Sequence, residues 1–200
     1  MHYAISHQTS DIQFLSVTPR KKLMKHTLLS VDDGLVLVRL GKNEYAIKPG
    51  QAMWLPFDCL TSICCLPQTR MHTVELSCRV SSPLPKQAGY IELNELSAAL
   101  LNRMATLADD HQAKINLLTV LREDLHHYAP TLELDSFSDQ ISRWQPNVSS
   151  PLDQNIQVAL RVREARKRLL SGQGKAKVIN ELFSGNEEAY HAICQTVLGE

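Results

Sequence analysis

The stretch from Gly34 to Leu66, GLVLVRLGKNEYAIKPGQAMWLPFDCLTSICCL, constrains the fold most. Val36 to Leu40 is an apolar, β-branched run, and Gly41-Lys42-Asn43 after it has the chemistry of a hairpin turn. Tyr45-Ala46-Ile47 returns, and Pro49-Gly50 breaks the chain again. A third run, Ala52 to Leu55, stops at Pro56, and a fourth covers Leu60 to Leu66. Strands this short, evenly punctuated by Gly and Pro, predict a small antiparallel barrel or sandwich. A barrel of that size fills its interior with side chains or holds one small ligand.

Further strands flank this stretch. Leu23 to Val31 reads as one, turned by Asp32-Asp33-Gly34, and Met71 to Arg79 as another. Ile12, Phe14, Leu15 and Val17 supply an edge strand, and Ser81-Ser82-Pro83-Leu84-Pro85 is a turn-rich exit. From Tyr90 the period changes. Leu93, Leu96, Leu100, Leu101, Met104 and Leu107 recur at helical spacing, Asp109-Asp110-His111 interrupts, and Ile115, Leu118, Leu121 and Leu125 form a second apolar face. Such an antiparallel helix pair covers the barrel or joins a second copy of the chain. The stretch 129–150 reads as a linker, although Phe137, Ile141 and Trp144 fit one packing helical turn. After Pro151 come a helix to Leu170, a short one over Ala176 to Phe183, a Ser184-Gly185-Asn186 turn, and a third over Glu187 to Leu198. Helix, tight glycine turn, helix is the outline of a helix-turn-helix.

Composition excludes several classes. The formal net charge is zero, so a nucleic acid or membrane partner would have to be met by a local patch. No apolar run approaches the roughly 18 to 20 residues needed to span a bilayer, and Met1 to Ser16 is not a secretory signal. A cytoplasmic protein without membrane contact is expected. Cys59, Cys64, Cys65, Cys78 and Cys194 are odd in number and contain no C-x-x-C pair, which argues for small buried hydrophobes in a reducing compartment. Cys64 and Cys65 are neighbours on a strand and point to opposite faces. His72 and Glu75, three apart, do the same, and no His-x-His occurs. No metal, cofactor or catalytic residue is therefore expected.

The spaced set Tyr45-x-Ile47-x-Pro49-Gly50-x-x-x-Trp54-Leu55-Pro56 resembles the core of a cupin barrel, and more narrowly the sensor domain of AraC-type transcription regulators. The tail resembles one helix-turn-helix unit of the same family: Arg163-Glu164-Ala165-Arg166-x-x-Leu169-Leu170, then Val178-x-x-Leu182-Phe183-Ser184, then Ala189-Tyr190 and Val197-Leu198-Gly199. The resemblance implies an α+β protein: a cupin-like antiparallel β-barrel sensor over 1–85, a dimerising helical hairpin over 90–128, a linker over 129–150, and a helix-turn-helix-like unit over 151–200. It places a histidine at His26 and, with the polar and aromatic residues of the strands, gives His26, Arg39, Tyr45, Trp54, Thr61 and Glu75 as candidates to bind a small-molecule effector. An inward Glu75 would face Arg39.

For DNA, the candidates are Arg161, Arg163, Arg166, Lys167, Arg168, Lys175 and Lys177 on the backbone side, and Asn186, Tyr190 and His191 on the presumed recognition helix. The tail departs from the family pattern. Family members carry two such units, this chain has room for one, and Glu187-Glu188 would repel phosphate. The sequence reads as a ligand-sensing, dimerising regulator with weak DNA binding. The alternatives are an interaction protein that pairs with a full-length regulator and, further off, a cupin enzyme.

Overall fold

Among the described residues every strand pairing is antiparallel, and the strands divide into two facing sheets. The computed structural model describes residues 4–80, 83–107 and 111–199. The strands are β1 (Ile5–Ile12), β2 (Ser16–Val17), β3 (Lys21–Lys22), β4 (Lys25–Asp33), β5 (Val36–Leu40), β6 (Asn43–Ile47), β7 (Ala52–Leu55), β8 (Leu60–Cys65), β9 (Thr69–Ser77) and β10 (Gly89–Ile91). The helices are α1 (Glu95–Thr106), α2 (His111–Asp124), α3 (Ser136–Arg143), α4 (Gln154–Leu170), α5 (Lys175–Phe183) and α6 (Glu187–Leu198), with a 3₁₀ turn at Leu125–His127.

The first sheet runs β1-β9-β4-β7-β10 and the second β2-β8-β5-β6, with β3 also on β8. From β6 to β9 the chain changes sheet at every step, and the pairs nest: β1 with β9, β2 with β8, β4 with β9, β5 with β8. That is the connectivity of a jelly roll, which manages its edges by folding one long hairpin into two sheets. The architecture is α+β, with the sheets first and the helices after them.

Strand alternation sorts the core into three layers. Between the sheets, Leu29, Val31, Val36, Val38, Tyr45, Ile47, Met53, Leu55, Cys65 and Met71 pack on one another. Outside the first sheet, Leu28, Trp54, Val74 and Leu76 meet Leu100, Leu101, Met104, Leu118, Leu121 and Leu125 of the α1–α2 hairpin. Outside the second sheet, Leu35, Leu37, Ala46 and Cys64 meet Ile141, Leu160, Val162, Val178, Leu182 and Val197. The hairpin thus spends most of its apolar face on its own barrel. Adjacent Cys64 and Cys65 do fall in opposite layers. Cys78 is exposed rather than buried, because β9 ends at Ser77 and the next residues turn into solvent.

The amino-terminal strand lies upstream of where the residue pattern puts it: β1 ends at Ile12, and Phe14 and Leu15 fall between it and the two-residue β2. β1 pairs along eight residues of β9 although its sequence, ISHQTSDI, is mostly polar. Its polarity fits its place at an edge. A tenth strand, Gly89–Ile91, joins the first sheet from beyond the proline-rich exit. There Gly89 lies so close to Thr131 that a Cβ would sit 2.6 Å from its backbone. The expected breaks at Ser81-Ser82 and Asp109-Asp110 lie outside the described residues.

Within the stretch expected as a linker, α3 packs along the free edge of β6. Ser138 and Ser142, one helical turn apart, accept the Ala46 and Glu44 amides at 3.0 and 2.8 Å, and Ser142 donates to the Glu44 carbonyl at 3.1 Å. The Tyr90 hydroxyl donates to the Ala46 carbonyl at 2.9 Å. The outward main-chain groups of this edge strand are satisfied by side chains instead of by another strand. From the adjoining helix α4, Arg163 sets both guanidinium nitrogens on Glu44, each at 2.8 Å.

Candidate functional site

The outer face of the first sheet is apolar only under the helical hairpin. Towards the β4–β5 turn it becomes polar, with Thr9 and Asp11 of β1, Ser30 and Asp32 of β4, and Arg70 and His72 of β9. A β-bulge shapes this corner. Val31 pairs with Met71 and Asp33 with Arg70, which leaves Asp32 unpaired. Bulges re-aim side chains, and here the Asp32 carboxylate comes within 3.0 Å of His72 Nε2.

His72 is only 2% exposed. Its Nδ1 lies 3.0 Å from His7 Nε2 and 3.2 Å from Thr9 Oγ1, and the two imidazoles stack with centroids 5.2 Å apart. On the other side of the ring, Nε2 has no hydrogen-bond partner of good alignment, Asp32 being near but off the N–H axis. Burial, aided by His72 and Lys114, pushes the His7 pKa down to about 4, so His7 is neutral at pH 7. Arg70 balances the carboxylates, 3.4 Å from Asp11 and 3.7 Å from Asp32.

Above this corner α1 overhangs the sheet. Ser30, Asp32 and His72 below, with Leu93, Leu101 and Asn102 above, enclose a cleft of about 310 Å³. The hairpin that forms its roof is pinned at one end. Asn94 caps α1 on the Ser97 amide, and Asp124 accepts from Ser97 Oγ at 2.6 Å, Asn94 Nδ2 at 2.9 Å and the Tyr128 hydroxyl at 3.3 Å. Burial opposes ionisation of Asp124, but these three donors outweigh it and hold its pKa below the usual value.

The six effector candidates do not converge. Trp54 is buried on the outer side of the first sheet, its indole donating to the Pro85 carbonyl at 2.9 Å. His26 stacks on it at 5.6 Å and accepts the Phe57 amide, so the pair closes the loop after β7. Arg39 is exposed on the second sheet. Tyr45 is buried in the barrel interior, edge-on to Tyr90, and Thr61 is buried on β8, with β5 between the two strands. Glu75 pairs with Lys25 on β4, not with Arg39 across the barrel, because Arg39 alternates with Val38 and so shares the outer face of Leu37, away from the space between the sheets.

In the tail, Val178, Ile179, Leu182 and Phe183 of α5 pack with Tyr190, Cys194 and Val197 of α6 against α4. Ser184 and Gly185 take positive φ of 55° and 76°, which makes the turn tight, and Asn186 caps α6 on the Ala189 amide. Several DNA candidates are used internally. Arg163 holds Glu44, Arg168 bridges Glu164 and Glu181, Tyr190 is buried, and Asn186 is a cap. Arg161 is half-buried, its Nε without a hydrogen-bond partner. Arg166, Lys167, Lys175, Lys177 and His191 remain exposed, as do Glu187 and Glu188.

Sequence reading missed the His7, Asp32 and His72 corner. Alternation alone places His72 on the face of Val74 and Leu76, but its partners arrive through non-local pairing and a bulge. Asp32 read as turn chemistry.

Fold and site together define a jelly-roll protein with a roofed polar cleft on one side and a unit of three packed helices, α4 to α6, docked on the other. No family model and no curated protein matches the chain. Among solved structures it is similar to an apo ToxT from Vibrio cholerae, with 10% identity over 100% of this chain and 95% of that one and a TM-score of 0.46. It is also similar to ToxT with an unsaturated fatty acid bound, with 9% identity over 98% of this chain and 92% of that one and a TM-score of 0.42. A cupin superfamily protein from Desulfitobacterium hafniense aligns with 38% of this chain and 71% of its own, at 10% identity and a TM-score of 0.36. Among the described residues no helix is long and apolar enough to cross a membrane, and no group of three or more His, Cys, Asp or Glu is arranged to hold a metal ion.

Proposed function

We propose that the chain is a cytoplasmic, ligand-responsive regulator of the AraC type, acting by binding rather than catalysis. The observation that carries this reading is the α4–α6 unit itself. It has a tight left-handed turn between two packed helices, and it is docked on a jelly roll through one continuous core and the Glu44–Arg163 pair. A change in the barrel therefore has a packed route to the tail.

Contact with DNA falls to the exposed cations Arg166, Lys167, Lys175 and Lys177. Two of them already have carboxylate neighbours, Lys167 with Glu164 at 3.3 Å and Lys177 with Glu181 at 3.8 Å. Binding is then weak and directed at phosphates, with log Kobs falling against log salt with a slope of roughly −2 to −4 for two to four contacts. Two copies pair through the 90–128 helices, where Leu96 and Val120 remain exposed.

Glu187 and Glu188, exposed in the first turn of α6, favour a second reading: a partner protein that joins another regulator without touching DNA. Fluorescence anisotropy with a random-sequence duplex at about 50 and about 200 mM salt separates the two. Binding that weakens steeply with salt supports the first. Absence of binding at the lower salt overturns it and leaves the second.

A further inference from the structure

We propose that the effector site is the cleft between the outer face of the first sheet and α1, and that it takes a small uncharged molecule bearing a hydroxyl or carboxamide group. Sensing in this protein would then occur beside the jelly roll instead of within it. This deepens the regulator reading and rests on it for the word effector, while the site itself stands on its own geometry.

The barrel interior is a poor host. The residues that would line an internal chamber, Val36, Val38, Ile47, Met53 and Leu55 among them, are fully buried against one another. The cleft differs in having room, with polar side chains from Ser30, Asp32 and Asn102 on its walls. Its 310 Å³ lies at the lower end of small-molecule sites, and it corresponds to about ten waters at their liquid volume.

Asp32, backed by the buried His72, sets the chemistry of the floor. The Nδ1 side of His72 is occupied by His7 and Thr9, and Nε2 is the buried atom left without an aligned partner. A carboxylate oxygen 3.0 Å away favours a proton on Nε2 over a lone pair. Nε2 itself lies beneath the surface, so the floor presents the Asp32 carboxylate as an acceptor, with the Ser30 hydroxyl beside it as a donor. The group complementary to both is one that accepts and donates from the same few atoms, as a hydroxyl or a primary amide does.

Charged ligands fit less well. An anion would meet Asp32, and the guanidinium of Arg70 is already shared between Asp11 and Asp32. A cation would compete with Arg70 for the same carboxylate. Asn102 and Ser30 add further groups that can donate or accept, and Leu93 and Leu101 give the ligand one apolar side.

Four compounds of one size and different head groups test this: benzyl alcohol, benzamide, benzoate and benzylamine, titrated into the ¹⁵N-labelled full chain without DNA. The expected result is millimolar binding of the alcohol and the amide, with amide shifts at Ser30, Asp32, Ala98 and Asn102. Both charged compounds should bind at least about tenfold more weakly. A long-range imidazole spectrum should show His72 protonated on Nε2. His72→Leu should abolish binding. Because that change touches the core, Asn102→Trp, on the exposed side of α1, provides a second block in a folded chain. Preferential binding of benzoate or benzylamine, shifts centred on Tyr45 and Thr61, or no shift from any of the four at about 10 mM would overturn the assignment. Since no DNA is present, failure here is distinct from failure of the anisotropy experiment.

Discussion

Replacing Arg163 by methionine removes the charged link between the helical tail and the second sheet while keeping most of the aliphatic stem. The pair it breaks is bidentate, with both N–O distances at 2.8 Å, and the two side chains are only 22% and 16% exposed. Breaking a fully buried pair costs about 3 to 5 kcal/mol, because the partner charge is left desolvated. An exposed pair is worth about 0 to 1 kcal/mol. At roughly one-fifth exposure, Arg163→Met should cost about 2 to 3 kcal/mol. Glu44→Gln should cost somewhat less, since the amide oxygen still accepts one of the two hydrogen bonds.

The double variant decides the matter. With both charges gone nothing is left uncompensated, so its cost should fall short of the sum by about 1 to 2 kcal/mol. Urea denaturation of the four proteins measures this coupling, and calorimetry should show the Arg163 variant melting about 4 to 12 °C lower. Additivity within about 0.5 kcal/mol would refute the claim that these residues act as a unit.

Two further outcomes follow from the fold. Ser138→Ala strips the acceptor from the Ala46 amide, in a residue only 1% exposed, and should cost about 1 to 3 kcal/mol; hydrogen exchange at Ala46 should accelerate, and unchanged protection would show that the serine does not cap this edge. His7 gives a pH dependence whose direction is fixed. Its folded pKa of about 4 lies below the unfolded 6.5, so between those values the unfolded chain holds more protons. Stability is therefore full above about pH 6.5 and falls as the pH drops towards 4. In melting curves across that window, His7→Gln should flatten the acid limb relative to the parent chain.

Short strands with Gly and Pro between them were enough to read the central sheets, because a turn residue and its neighbours sit together in the sequence. β5 and β7 start and stop where Val36, Leu40, Ala52 and Leu55 predict. Helical spacing likewise located α5 and α6, each within a residue or so. What stayed hidden depended on distant partners. The polar strand β1 has no apolar alternation of its own and is held by its register with β9. β10 is three residues long and fixed by β7 and Thr131.

The same reason accounts for the site. Asp32 becomes informative only once a bulge turns it over His72, and Arg163 only once Glu44 lies beneath it. Basic residues in the tail look alike in one dimension. Folding sorts them into those that hold the molecule together and those that still face solvent.

The helix laid along β6 has a consequence for how a signal could travel. Were the tail to swing clear, Glu44 and Ala46 would lose the hydroxyls that now serve their amides, and a bare sheet border would face water. Such a border invites a strand from another molecule. Release is thus a sticky state, and communication from cleft to tail is better served by small rotations of a sealed joint than by detachment. A fragment cut just before α3 should, for the same reason, be prone to self-association.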